Sequence, residues 1–261
     1  MDGGGVAIEL RGPVQWITID RAERRNAFDA EVIRGIARGV AQAQADPVVR
    51  AIVLTGAGDR AFCAGGDLRA ERGESPFELD PARPRNPVID LFKELEQCTL
   101  PTLARVNGHA LAGGLGLVCA CDLAVAAETA TLGVPETAVG LFPMMILPYL
   151  LRTLPRRQLM EWCITGARWT AQEALAVGIL NYVVPPAELD AKVEWLLARI
   201  LDKSPTAIRI GKQGIQAMRD MTLPQAFEYA QHALPSIARS EDAREGFAAF
   251  RERRPPRWTG R

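Results

Sequence analysis

The sequence predicts an α/β fold built on a buried parallel sheet, and two observations predict it. Short continuous apolar runs end in glycine turns that lead towards helices, once over residues 51–68 and again over 102–121. Strands covered by helices on both faces read in this way. The chain also has 261 residues with 48% hydrophobic content, enough to bury one large core, or a core and a smaller appendage.

In order, Val6 to Leu10 and Val14 to Ile19 alternate around Arg11-Gly-Pro and predict two short strands joined by a turn. A basic loop, Arg21-Ala-Glu-Arg-Arg-Asn-Ala-Phe28, precedes a helix striped by Val32, Ile33, Ile36 and Val40 and stopped by Asp46-Pro47. Ala51 to Gly56 is the next strand, which makes a strand–helix–strand crossover. Ala61-Phe-Cys-Ala-Gly-Gly-Asp-Leu68 reads as a glycine turn leading to a helix, and the charged, proline-rich stretch from Arg69 to Pro87 as a long surface excursion. Val88, Ile89, Phe92 and Leu95 restore helical spacing. Thr102 to Val106 is a buried strand that feeds a second glycine turn and a small-residue helix, and Leu123 to Ala127 is a third. Thr170 and Glu173 form a capping box for a helix ending at Gly178. A short strand over Asn181 to Val184 follows, then a helix striped by Leu189, Val193, Leu196, Leu197 and Ile200. Helices run from Pro205 to the end, with Ala226, Phe227, Ala230 and Leu234 as a packing face between subunits.

Composition narrows the function. Lys+Arg and Asp+Glu number 31 each, so no global field favours nucleic acid or an anionic membrane. Five cysteines without a repeated spacing do not form a disulfide framework and read as buried small hydrophobes in a reducing cytoplasm. Cys119 and Cys121 lack zinc spacing, so no metal is expected. The opening Met-Asp-Gly-Gly-Gly has neither the basic flank nor the apolar run of a signal peptide, and no apolar stretch reaches membrane-spanning length. The expectation is a soluble cytoplasmic protein with no nucleic-acid or membrane partner.

Glycine turns at helix starts leave backbone N–H groups bare, and such groups attract negative charge. Two such turns beside adjacent parallel strands can bring two donors onto one oxygen, because ligands in these folds bind beyond the strands' carboxyl ends.

Several ordered motifs carry a resemblance: Ala61-Phe-Cys-Ala-Gly-Gly-Asp-Leu68, Asn107-Gly-His-Ala-Leu-Ala-Gly-Gly114, Cys121-Asp-Leu-Ala-Val-Ala126, Pro135-Glu-Thr-Ala-Val-Gly-Leu141 and Glu241-Asp-Ala-Arg-Glu-Gly-Phe-Ala-Ala-Phe-Arg-Glu-Arg-Arg254. Together they resemble the enoyl-CoA hydratase/isomerase, or crotonase, family over nearly the whole chain. The resemblance implies a spiral of strand-strand-helix repeats, taken here as residues 1–195. It implies a C-terminal helical region, 196–261, that mediates trimer formation, commonly as a dimer of trimers. No cofactor is implied beyond the coenzyme A of an acyl-CoA substrate.

By the same resemblance the N–H groups of Ala64 and Gly113 form an oxyanion hole for the thioester carbonyl. Chemistry beside a thioester places negative charge on that oxygen, and losing one preorganised donor typically costs ~10²–10³ in rate. Arg24 and Arg25 match the segment beside the CoA adenine. Ala64, Gly65, Gly66, Asp67 and Leu68 follow the pantetheine arm, and Phe250 and Arg253 match positions that reach CoA from a neighbouring subunit. Asp67 and Asp122 also read as turn braces. Phe142 and Met144 are candidate acyl-pocket residues.

The departure lies in the acids. The family's hydratases use two glutamates; Glu136 occupies the second position and Gly116 stands at the first. A glycine inside a helix costs about 0.5–1 kcal/mol relative to alanine, so either substrate bulk or close helix packing claims that space. One acid suffices to move a double bond, which favours isomerisation over hydration. Hydration survives if Glu71, Glu74, Glu78 or Asp80 supplies a second acid. A non-catalytic acyl-CoA-binding or RNA-binding member of the fold is a further alternative. A nicotinamide enzyme is disfavoured, because the third glycine of its fingerprint is absent. His109 and His232 receive no role.

Overall fold

The computed structural model describes residues 5–69, 82 and 85–261. These fall into two compact units, one comprising residues up to Cys98 together with Thr102–Glu194, the other Thr99–Pro101 with Trp195–Arg261.

In the first unit, β1 (Val6–Arg11) and β2 (Val14–Ile19) form an antiparallel hairpin, followed by α1 (Ala30–Ala45) and β3 (Ala51–Gly56). Asp29 starts α1 by accepting the N–H groups of Glu31 and Val32, the bonds an N-cap supplies to an unsatisfied first turn. The stripe of Val32, Ile33, Ile36 and Val40 is buried as its spacing predicts, each side chain worth roughly 1.5–3 kcal/mol. β2 and β3 pair in parallel, so the crossover is present.

β4 (Ala61–Cys63) comes next, then α2 (Pro87–Gln97), β5 (Thr102–Val106), β6 (His109–Leu111), α3 (Gly113–Ala120), β7 (Leu123–Ala127) and β8 (Thr131–Gly133). After a 3-10 turn at Pro135–Val139 follow α4 (Leu147–Thr153), α5 (Arg156–Thr165), β9 (Arg168–Thr170), α6 (Ala171–Ala176) and β10 (Tyr182–Val184). The strands build two sheets, ordered β1-β2-β3-β5-β7-β10 and β4-β6-β8-β9. In the larger sheet every pair after the hairpin is parallel, and β3 is buried at all six positions.

The four-stranded sheet is the main departure from expectation. Its strands are three residues each, too short to show an alternation of period two. Ala61–Cys63 is therefore strand rather than turn, and the glycine turn begins at Ala64. The helix expected after Leu68, and the acids Glu71, Glu74, Glu78 and Asp80, lie outside the described residues.

α7 (Leu189–Leu201) contributes its residues from Trp195 onward to the second unit, which continues through α8 (Pro205–Met218), α9 (Leu223–Ala238) and α10 (Glu241–Glu252). Asp242 organises this unit. Its buried carboxylate accepts from Ser204 Oγ at 2.8 Å and from the N–H groups of Thr206, Thr259 and Gly260 at 3.3, 2.8 and 3.1 Å. The C-terminal tail is thereby tied to the starts of α8 and α10. No residue of α9 is buried within the chain; Phe227 and Leu234 are exposed on it, as are Phe247 and Phe250 on α10.

Candidate active site

The two glycine turns meet in the first unit. Gly65 has φ +91°, and a Cβ there would lie 2.8 Å from Ala112 Cβ and 3.4 Å from Gly113 N. A Cβ on Gly114 would collide with the Cys63 carbonyl, and one on Gly113 with Phe28 Cζ. Glycine at these positions lets the backbone after β4 approach the start of α3. Parallel pairing of β4 with β6 brings both turns to the same end of the small sheet.

A third segment runs beside them. Phe28 N–H donates to Gly65 O and Asp67 N–H to Phe28 O, each at 2.9 Å, and Ala64 N–H donates to Arg25 O at 3.1 Å. Buried Asn26 holds this segment: its Nδ2 donates to the Ala57 and Ala61 carbonyls at 2.9 and 2.7 Å, and its Oδ1 accepts Arg21 N–H at 3.1 Å. Asn107 does the same between Gly58 O and Gly56 N–H. Arg21 links the parts by pairing with Asp29 at 2.9 Å and Asp67 at 3.1 Å and donating to Ala27 O. Sequence reasoning missed Arg21, Asn26 and Asn107. The available signal was asparagine beside tight turns, since its side chain replaces backbone partners there.

The candidate donors differ. Among the described residues no acceptor faces the Gly113 N–H, which opens α3. The Ala64 N–H, expected to be free, is engaged by Arg25 O.

Glu136 is the second residue of the 3-10 turn after β8. Its Oε2 is buried with no hydrogen-bond partner among the described residues. Burial pushes its pKa up, against a hydrogen bond from its own N–H. The turn packs on the end of α5: a Cβ on Gly166 would stand 3.2 Å from Thr137 Oγ1. Buried Cys163 lies close enough that Glu136 adds to the burial that raises its thiol pKa.

Gly116 resolves its two readings by geometry. A Cβ there would run into Ile146 Cγ2 and sit 2.6 Å from Phe92 Cζ. Both side chains are buried, so close packing claims the space, and substrate bulk is not needed to explain the glycine. Tyr149 meets the Phe92 ring edge-on at 5.7 Å.

Of the remaining candidates, Arg24 and Arg25 are exposed and Gly66 is half-buried, bridged to Phe28. Asp67 is buried and braces the turn through Arg21, while Leu68 is exposed. Asp122 accepts from Thr102 N–H and Oγ, also a brace. Phe142 and Met144 are exposed. Phe250, exposed, and Arg253, with φ +53°, belong to the second unit. Among the described residues no group of three His, Cys, Asp or Glu side chains could hold a metal ion, and no helix is long and apolar enough to cross a membrane.

Two sheets, with glycine turns meeting where a helix begins, define an α/β protein of crotonase type. Residues 9–261 match the family model described as enoyl-CoA hydratase/isomerase. A carnitinyl-CoA dehydratase of Salmonella arizonae is 34% identical over 259 residues, 95% of this chain and 96% of that protein. The crystal structure of an enoyl-CoA hydratase from Mycobacterium tuberculosis superimposes with a TM-score of 0.88 at 34% identity, covering 99% of this chain and 100% of that one. One from Mycobacterium smegmatis gives 0.90 at 29% identity, covering 97% and 98%. The chain belongs to the enoyl-CoA hydratase/isomerase family and is an enzyme of that type.

Proposed function

We propose that this enzyme shifts the double bond of an enoyl-CoA thioester, with Glu136 as its single acid/base. The carboxylate takes a proton from one carbon of the acyl chain, the electron pair delocalises onto the thioester oxygen, and the same group returns the proton at another carbon. The Gly113 N–H is the donor in place for that oxygen. Ala64 N–H becomes the second when it exchanges the Arg25 carbonyl for the substrate.

The observation that carries the reading is Glu136 itself: a carboxyl with a buried, unpartnered oxygen and a raised pKa, while position 116 is closed by Phe92 and Ile146. A carboxyl tuned upwards suits proton transfer near neutrality, a role worth ~10²–10⁴-fold. Arg24 and Arg25 suit the CoA phosphates through forked hydrogen bonds. The exposed Phe227, Leu234, Phe247 and Phe250 fit burial between copies, as a homotrimer or dimer of trimers.

A second reading, hydration with another acid, is favoured by relatives named as hydratases and a dehydratase. Parallel assays with 2-enoyl-CoA and 3-enoyl-CoA decide between them. Isomerisation that disappears in Glu136→Gln supports the first reading, and fast hydration without isomerisation replaces it with the second. Full activity in Glu136→Gln removes Glu136 from the mechanism.

A further inference from the structure

The chain enters α3 through an unfavourable backbone conformation. Ala112 holds φ +51° and ψ −125°, the angles of the first central residue of a type II′ turn, a place that glycine dominates. Alanine is strained there, and such strain persists only where the surroundings over-determine it. The ψ of Ala112 sets the plane of the peptide it shares with Gly113, and so sets where the Gly113 N–H points. The carbonyl of that peptide accepts the Gly116 N–H at 3.2 Å, and the Ala112 N–H donates to Gly133 O at 2.9 Å.

Phe28 packs against this peptide. It is 2% exposed, and its ring points tip-first at Gly113: a Cβ there would run into Phe28 Cζ and lie 2.8 Å from Cε1. The backbone behind the ring is fixed. Phe28 N–H and C=O bond to Gly65 O and Asp67 N–H, each at 2.9 Å, and so bracket Gly66. On either side of it the Ala27 carbonyl accepts from Arg21 Nη1 at 2.7 Å, and Asp29 pairs with the same guanidinium at 2.9 Å. Gly65 confines Ala112 in turn: a Cβ on Gly65 would lie 2.8 Å from Ala112 Cβ and 3.0 Å from the Leu111 carbonyl. One residue therefore clasps the first glycine turn with its backbone and presses on the second with its ring.

We propose that Phe28 is a positioning residue, whose ring holds the strained Ala112–Gly113 peptide so that the Gly113 N–H stays aimed at the substrate's carbonyl oxygen. The proposal rests on the reading of Gly113 as the donor to that oxygen. A shorter side chain leaves the peptide room to rotate towards a relaxed Ala112. A donor that has turned away stabilises less of the charge developing in the transition state. The rest of the substrate keeps its contacts, so kcat falls while KM changes little.

The test reads the donor directly. Butyryl-CoA labelled with carbon-13 at the thioester carbonyl has no double bond to shift or hydrate, and its carbonyl resonance moves downfield when a hydrogen bond polarises it. Bound to the full-length wild type it should show that shift. Phe28→Leu should lose most of it, hold the dissociation constant within about threefold, and lower kcat ~10–100-fold in whichever of the two enoyl-CoA assays is active. Adding Ala112→Gly to Phe28→Leu should restore both shift and kcat, because glycine adopts these angles without strain, while Tm stays low from the cavity the ring leaves. That rescue separates positioning from a purely structural role, in which the second change repairs nothing. Phe28→Met, which fills more of the space, replaces Phe28→Leu if thermal unfolding shows that the latter does not fold. A full shift with full kcat in the Phe28 variant, or no rescue by Ala112→Gly, overturns the role of Phe28 and leaves Gly113 as the donor. No shift in the wild type overturns the Gly113 donor and this role with it.

Discussion

The Ala64 N–H donates to the Arg25 carbonyl at 3.1 Å, and Arg25 holds φ at +53° where it does so. Its neighbour Asn26 has φ +55°. Two consecutive left-handed residues that are not glycine cost roughly 1–2 kcal/mol each, and the three side-chain hydrogen bonds of buried Asn26 offset that cost. One backbone donor beside Gly113 is thus satisfied within the chain, by a segment whose two arginine side chains are exposed.

Asn26 should accordingly matter twice. Asn26→Ala leaves the Ala57 and Ala61 carbonyls short of a donor and adds strain at a left-handed position, so it should destabilise the protein by about 2–4 kcal/mol and lower kcat by displacing the Ala64 turn. Denaturant unfolding and steady-state kinetics measure the two effects. Wild-type stability in Asn26→Ala would show that other contacts hold the segment.

Gly116→Ala tests the packing at the helix. The added Cβ meets Ile146 and Phe92, and overpacking of this kind costs about 1–3 kcal/mol, more than alanine's helix preference returns. Removing the ring in Phe92→Ala should make the Gly116→Ala change much less harmful. A double-mutant cycle by thermal unfolding reads the coupling, and additive effects would contradict it.

Glu136 should trade stability for function. Its folded pKa lies above the unfolded value, so its stabilising contribution is full below about pH 4.3 and is lost as the pH rises through the folded value. Glu136→Gln should therefore gain in Tm relative to the wild type as pH rises. Activity should fall ~10²–10⁴-fold. The wild-type kcat/KM should climb with pH through the same ionisation, because the base must be deprotonated.

Asp242 behaves in the opposite sense. Burial raises its pKa, but hydrogen bonds from Thr259, Ser204, Gly260 and Thr206 outweigh burial and leave it lowered. That contribution is present above the unfolded value, about pH 3.9, and is lost as the pH falls through the folded one. Asp242→Asn should destabilise the C-terminal unit by about 1–3 kcal/mol at pH 7, with the difference shrinking in acid. Hydrogen exchange at the Thr259 and Gly260 amides reads the effect locally.

The sequence by itself determined the elements whose signal is local. The run Ala51–Gly56, the stripe of α1, the Thr170–Glu173 capping box and the small-residue helix after Asn107-Gly108 all stand where periodicity and turn chemistry put them. Its ordered motifs also carried the family and singled out Glu136. Tertiary structure alone decided the rest, because these facts belong to neighbours distant in the chain. Three-residue strands exist only through their partners. Gly116 is explained by Phe92 and Ile146, 24 and 30 residues away in opposite directions. The Ala64 N–H is bonded because Asn26 holds a kink that no periodicity records, and Arg168 shares a sheet face with Thr131 only because β8 and β9 pair in one register. A residue type states what a side chain can do; the packing around it decides which of those things it does.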